Sequence, residues 1–202
     1  MKAYLIIPVF CLSLFSSCTA QVKPKNKLNI KNDTMEKFDV VRFDEKKING
    51  EYNFTTSDHA QVRQVENSAD YTEEIKYPSS PFVKIRAYFK ASGSIKIRGE
   101  KFYNFPVGTW QYFDTNEKLV KETNWETPFK FPIKDLDEKM KKMGVNIMVV
   151  KAGTNVRRAS TVSPFYFVSY PVNADNPYQV YELKIDGITG EVLEKNIMVT
   201  KN

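Results

Sequence analysis

Slid against itself by twenty-four residues, the chain aligns Tyr88-Phe89-Lys90-Ala91-Ser92-Gly93-Ser94-Ile95 with Tyr112-Phe113-Asp114-Thr115-Asn116-Glu117-Lys118-Leu119. Both copies run from an aromatic pair through a polar turn to an apolar residue that opens the next strand. That layout restricts the strand-rich half, from about Val40 to Thr127, to repeated hairpins in which each unit buries its aromatics against the next. Tyr88 and Tyr112 hold matching places in the two copies, as core residues do. Trp110, Tyr112 and Phe113 also have the composition of a carbohydrate-stacking platform. Core packing is the stronger reading, because aromatic residues favour strands for packing reasons.

Together with Gly108-Thr109-Trp110, the second copy resembles the MORN-type repeat in the variant form found in bacterial exported proteins. The likeness covers about forty residues. It departs at Glu117, where such repeats carry the turn glycine seen here as Gly93.

Beyond Pro128 and Pro132 the period changes. Ile133, Leu136, Met140 and Met143 recur at helical spacing and predict a helix with one apolar face, opened by Pro132 and closed by Gly144. Its other face pairs Asp135 with Lys139, Asp137 with Lys141 and Glu138 with Lys142. Acid-before-base pairs at this spacing contribute ~0.2–0.5 kcal/mol each, which assigns the acidic cluster to helix support and not to a paired-carboxylate active site.

Strands are expected at Val145 to Val150, Val156 to Ala159, Phe165 to Val172 and Tyr178 to Asp186, followed by a tight turn at Gly187-Ile188-Thr189-Gly190. The stretch Tyr181-Glu182-Leu183-Lys184-Ile185-Asp186-Gly187-Ile188-Thr189-Gly190-Glu191-Val192-Leu193 is similar to the closing hairpin of a PepSY-type domain. That resemblance, over about seventy residues, implies a non-catalytic module with one helix across a small antiparallel sheet, a type found in exported proteins including protease propeptides. The expected fold class is therefore α+β, mostly antiparallel β with repeated hairpins, then one helix packed on a small antiparallel sheet.

The N-terminus says where the domain goes. Met1-Lys2 precedes an apolar run, Ala3 to Phe15, that is too short for a membrane span of ~20 residues and contains Pro8. Ser16-Ser17-Cys18 follows directly, and the whole resembles a bacterial lipoprotein signal of the Bacteroidota kind. It implies removal of residues 1–17 and lipid attachment at Cys18, with palmitate among the acyl chains. Several chains make a stable anchor where one alone binds only marginally. Ordinary cleavage at Cys18-Thr19-Ala20 is the rival reading.

Thr19, in place of the acidic residue that signals inner-membrane retention, implies the outer membrane. The lack of an acidic run after Cys18 implies a periplasm-facing orientation. The chain's other cysteine, Cys11, leaves with the signal, so the mature chain has no internal disulfide to form. Its fold must rest on packing, which is feasible at ~180 residues.

Residues 18–39 are polar and aperiodic, with Lys23, Lys25, Lys27 and Lys31, and read as a flexible tether. The remainder divides into 40–127, the hairpin region, and 128–202, the helix-and-sheet region. Exported Bacteroidota proteins are often O-glycosylated at Asp, then Ser or Thr, then a small or aliphatic residue or Met. Asp33-Thr34-Met35 matches, making Thr34 the candidate acceptor; an unmodified linker threonine is the alternative.

Thirty Lys and Arg against twenty-four Asp and Glu give a net charge of +6. The charges are mixed along the chain, which describes a solvated surface and argues against a nucleic-acid partner. His59 is the only histidine and follows a polar, turn-like run. No G-x-S-x-G surrounds a serine, and a transition-metal cage lacks its usual ligands. No catalytic residue, metal or cofactor is expected. Two functions remain: a membrane-anchored protein-binding or scaffold module in the cell envelope, or an immunity or inhibitor protein against an exported toxin or protease. The expected partners are a lipid bilayer, through N-terminal acylation, and a protein.

Overall fold

The computed structural model describes residues 37–160, 162–173 and 175–199. Cys18, Thr34, the signal segment and most of the tether lie outside the described residues. The chain runs α1 (Val40–Lys46), β1 (Glu51–Thr55), β2 (Gln61–Glu66), β3 (Asp70–Lys76), β4 (Phe82–Phe89), β5 (Ile95–Phe102), β6 (Phe105–Phe113) and β7 (Leu119–Asn124). It continues with α2 (Ile133–Lys142), β8 (Asn155–Ala159), β9 (Phe165–Asn173), β10 (Asn176–Asp186) and β11 (Val192–Val199). β1 to β7 form one seven-stranded antiparallel meander in chain order, and the other four form a sheet ordered β11-β10-β9-β8. The fold is α+β and mostly antiparallel β.

Order begins earlier than the reading of 18–39 as tether allows. Phe38 is buried, its ring stacks on Tyr71 at 4.5 Å, and its backbone N–H donates to the Gly93 carbonyl at 2.8 Å. α1 is also a departure, since Val40-Val41 reads as strand. Asp39 accepts from the Arg42 N–H at 3.0 Å as an N-cap, and Phe43 is fully buried against Phe38 and Tyr71. A capped turn with one anchored aromatic outweighs a weak β preference.

The two repeat turns share a backbone conformation, with φ 66° at Gly93 and 64° at Glu117. A Cβ at Gly93 would come within 3.1 Å of the Phe38 carbonyl oxygen, so that turn needs glycine for space as well as for conformation. Glu117 bears a strain of about 1 kcal/mol for a left-handed residue.

The aromatics, however, do not superpose. The extra residue of each bulge, Lys96 in one copy and Val120 in the other, lies on the second strand of its hairpin, at matching places in the repeat. On the first strand Tyr88 pairs with Ile95, but Phe113 and not Tyr112 pairs with the matching Leu119, because the second turn is one residue shorter. Tyr88 therefore enters the core with Phe38 and Tyr71, whereas in the second copy Phe113 packs there and Tyr112 lies on the other face beside Ile97.

A second core joins the two sheets. Phe102, Phe105 and Val107 of the meander pack with Leu136 and Met140 of α2 and with Val156, Tyr166, Val168, Leu183 and Ile185 of the smaller sheet. α2 buries Leu136 and Met140 of the expected apolar face, but Met143, its C-cap, is exposed; the chain turns at Gly144, whose φ is 77°. Val145 to Val150, expected as a strand, is an irregular crossing segment. Two of its hydrogen bonds go to the loops of the meander: the Val150 N–H donates to the Ser79 carbonyl at 2.8 Å and the Tyr103 hydroxyl to the Ile147 carbonyl at 3.1 Å. Fully buried Ile147 anchors it, so packing and not a ladder consumes its apolar residues.

Arg158 of β8 clasps the joint. Its side chain is 6% exposed and meets both Glu126 oxygens at 3.1 and 3.2 Å. It also donates to the carbonyls of Pro106 and Trp125 and lies over the rings of Phe105 and Phe129, at 4.8 and 4.6 Å. Glu126 in turn accepts the Gly108 N–H at 3.0 Å. Next to this cluster, the buried Tyr166 hydroxyl donates to the Phe131 carbonyl at 3.0 Å, and burial pushes its phenol up to about 12.

Candidate functional site

The order of the smaller sheet leaves β8 at the joint and β11 at the free edge. β11 runs antiparallel to β10 from Gln179↔Val199 to Ile185↔Val192, with a bulge whose extra residue is Leu193 of β11. On its other side no described strand pairs with it. Every described residue of β11 is exposed, and five are large and apolar: Val192, Leu193, Ile197, Met198 and Val199. Ile197 and Val199 are 55% and 73% exposed, whereas Leu183 and Ile185 on neighbouring β10 are fully buried. Soluble proteins blunt such edges with lysine, proline or a covering loop, because unpaired backbone beside apolar side chains templates further pairing.

The side chains near this edge form a shelf. Tyr170, Tyr181 and Ile197 lie in one register row across β9, β10 and β11, and the two rings are 5.4 Å apart. Burial, reinforced by Tyr181, raises the Tyr170 phenol above its ordinary value. Beside Tyr170 opens a depression of about 410 Å³, lined by Val145, Asn146, Lys151, Thr154 and Pro171 among others.

The charges bordering the edge are already engaged. Lys195 Nζ sits 4.0 Å from the Tyr181 ring centroid, and Glu194 takes Lys184 at 2.7 Å. Farther along the same outer face Arg157 meets Glu182 at 2.5 Å. A strand approaching β11 would find backbone donors, backbone acceptors and apolar side chains, with these charges already matched. This arrangement suits recognition by strand addition.

Other polar groupings are structural. A row of residues crosses the meander in register, Gln64, Glu73, Arg86, Arg98, Gln111 and Glu122. Gln64 donates to Glu73 at 2.7 Å, Arg86 meets Glu73 at 3.0 Å, and Gln111 donates to Glu122 at 2.6 Å. A depression of about 570 Å³ near β1 and β2 is lined by Arg63 and Glu74, among others. Arg63 there binds Glu51 through two hydrogen bonds, at 3.0 and 2.8 Å. With Asn53 it holds the Glu51 carboxyl down at about 2.

The residues singled out in the sequence do not converge. His59 lies in an exposed loop with φ 67°. Trp110 is half-buried, its indole N–H donates to the Glu100 carbonyl at 3.0 Å, and its ring rests on Gly99. Tyr112 shares that face, but Phe113 points to the opposite one, so the three rings make no common platform. On α2, Asp137 pairs with Lys141 at 2.6 Å, and Glu138 meets Lys134 at 4.0 Å where Lys142 was expected. Among the described residues, no three His, Cys, Asp or Glu side chains gather to hold a metal ion.

The shelf itself was missed. Its sequence signal is the apolar run Ile197-Met198-Val199 in β11. No family model matches this chain, no curated protein matches it, and no solved structure matches its fold.

Proposed function

We propose that this chain is a non-catalytic lipoprotein, anchored through Cys18 to the periplasmic face of the outer membrane, whose ordered domain binds a protein. The observation that carries the binding role is β11, an unpaired edge with five exposed apolar side chains. Apolar side chains along an open sheet edge mark interaction surfaces. The PepSY-type resemblance, which implies a non-catalytic module, agrees with this reading.

The test is site-specific photo-crosslinking in intact envelopes. A photoreactive residue replacing Met198 should yield protein adducts. One replacing Val162, which is 96% exposed but lies off the shelf, should yield none. No adduct at Met198 would refute the binding role. The captured chain's identity separates the two classes: a toxin or protease indicates an inhibitor, an envelope component a scaffold.

A further inference from the structure

Resting on that reading, we propose that the occupant of the β11 edge is a second copy of this chain, paired edge to edge so that the two four-stranded sheets become one. A two-fold axis perpendicular to the sheet keeps like faces on the same side, so the antiparallel register must be centred on a residue. Centring on Glu194 or Lys195 sets identical charges directly opposite each other, which destabilises a pair. Centring on Asn196 avoids this. Asn196 then faces its equivalent, whose side chain can both donate and accept. Lys195 lies opposite Ile197, Glu194 opposite Met198, and Leu193 opposite Val199.

The contacts suit those neighbours. Lys195 keeps its ammonium on the Tyr181 ring, 4.0 Å from the centroid, while its aliphatic stem can cover Ile197 of the second copy. Glu194 stays neutralised by Lys184 at 2.7 Å, so no new charge is buried alone. The shelf of Tyr170, Tyr181 and Ile197 becomes continuous across the axis. Among the described residues nothing pairs with β11 on this side, because β8, the strand tied to the meander through Arg158, is at the opposite edge. Seven exposed residues on each copy, Leu193 to Val199, would bury on the order of 1,000 Å² in total, the lower limit for a specific interface. The dimer is therefore expected to form in the micromolar range, where copies held on one membrane surface meet readily.

The full chain, purified in detergent, provides the test. Light scattering coupled to size exclusion should give a protein mass of two chains that falls to one on dilution. Ile197→Lys should give one chain at all concentrations. Ile197 is 55% exposed, so its circular dichroism and unfolding midpoint should match wild type. Asn196→Cys should form a disulfide-linked dimer under mild oxidation. Glu194→Cys, displaced from its own equivalent in this register, should not, which also controls for the native cysteines. A single-chain mass throughout, with no Asn196→Cys dimer, overturns the proposal. If crosslinks from Met198 then reach a different protein, the binding role stands without the dimer; if they reach none, both fall.

Discussion

Removing the Arg158 side chain should loosen the joint between the two sheets. In Arg158→Ala the charge-assisted hydrogen bonds to Glu126 disappear, an interaction class worth ~1.5–3 kcal/mol. The carbonyls of Pro106 and Trp125 lose their donor, and contacts over Phe105 and Phe129 go with it, at ~0.5–1 kcal/mol each. Opposing this, Glu126 is 32% exposed and regains water, and arginine's own desolvation is no longer incurred. The net is ~3 kcal/mol, the lower end of the range for a buried pair broken from one side. Arg158→Lys retains the charge but loses the fork that reaches Glu126 and two carbonyls together, and should cost ~1–2 kcal/mol.

Urea unfolding monitored by circular dichroism and by tryptophan fluorescence measures both variants. Because the core spans the joint, wild type should unfold in one transition with coincident probes. Arg158→Ala should lower the midpoint with little change in slope. A loss below 1 kcal/mol would show that the clasp is ornamental. Wild-type transitions that separate by probe would show that the shared core does not couple the sheets.

Gly99→Ala places a Cβ 2.3 Å from the Trp110 ring; displacement of the indole should cost ~1–3 kcal/mol and shift tryptophan emission to the red. Acid should weaken the fold between about pH 4.5 and 2. Glu51 is held down by Arg63 and Asn53, and Glu66 by Lys47 and Lys90, each at about 2 against 4.5 when free. Their contribution is complete above 4.5 and vanishes as pH falls through 2. Both are half-buried at the surface, so the effect should shrink in 1 M salt, and Glu51→Gln with Glu66→Gln should flatten the pH profile of the urea midpoint. Cys18→Ala should abolish labelled-palmitate incorporation and release or arrest the protein; unchanged membrane fractionation, with no label in wild type, refutes the anchor. Native mass should exceed that of the lipidated polypeptide and drop to it in Thr34→Ala; equality in wild type means Thr34 carries no glycan.

Periodic local patterns were legible without coordinates. The spacing of Ile133, Leu136 and Met140 specified α2 and its buried stripe, because side-chain direction along a helix follows from residue number alone. Gly93, Gly144 and the Asp186 to Gly190 turn marked real chain reversals, since left-handed backbone and Asx turns restrict residue type. The antiparallel, strand-rich character of both halves followed from such punctuation.

Tertiary structure decided what periodicity cannot carry. A second turn one residue shorter than the first puts Tyr112 outward where Tyr88 is inward, although the repeat treats them as equivalent. Val145 to Val150 has a strand's composition, yet its backbone bonds to Ser79 and Tyr103, which are distant in sequence. Arg158 resembles its neighbour Arg157 in every local respect; only assembly of β8 against Phe105, Phe129 and Glu126 buries one and exposes the other. Strand order likewise left β11 unpaired, and an apolar strand reads the same at the edge of a sheet as in its centre. Local backbone and side-chain preferences act over a few residues and are therefore written in the sequence, whereas burial and edge position depend on contacts between distant segments and exist only once the chain has closed on itself.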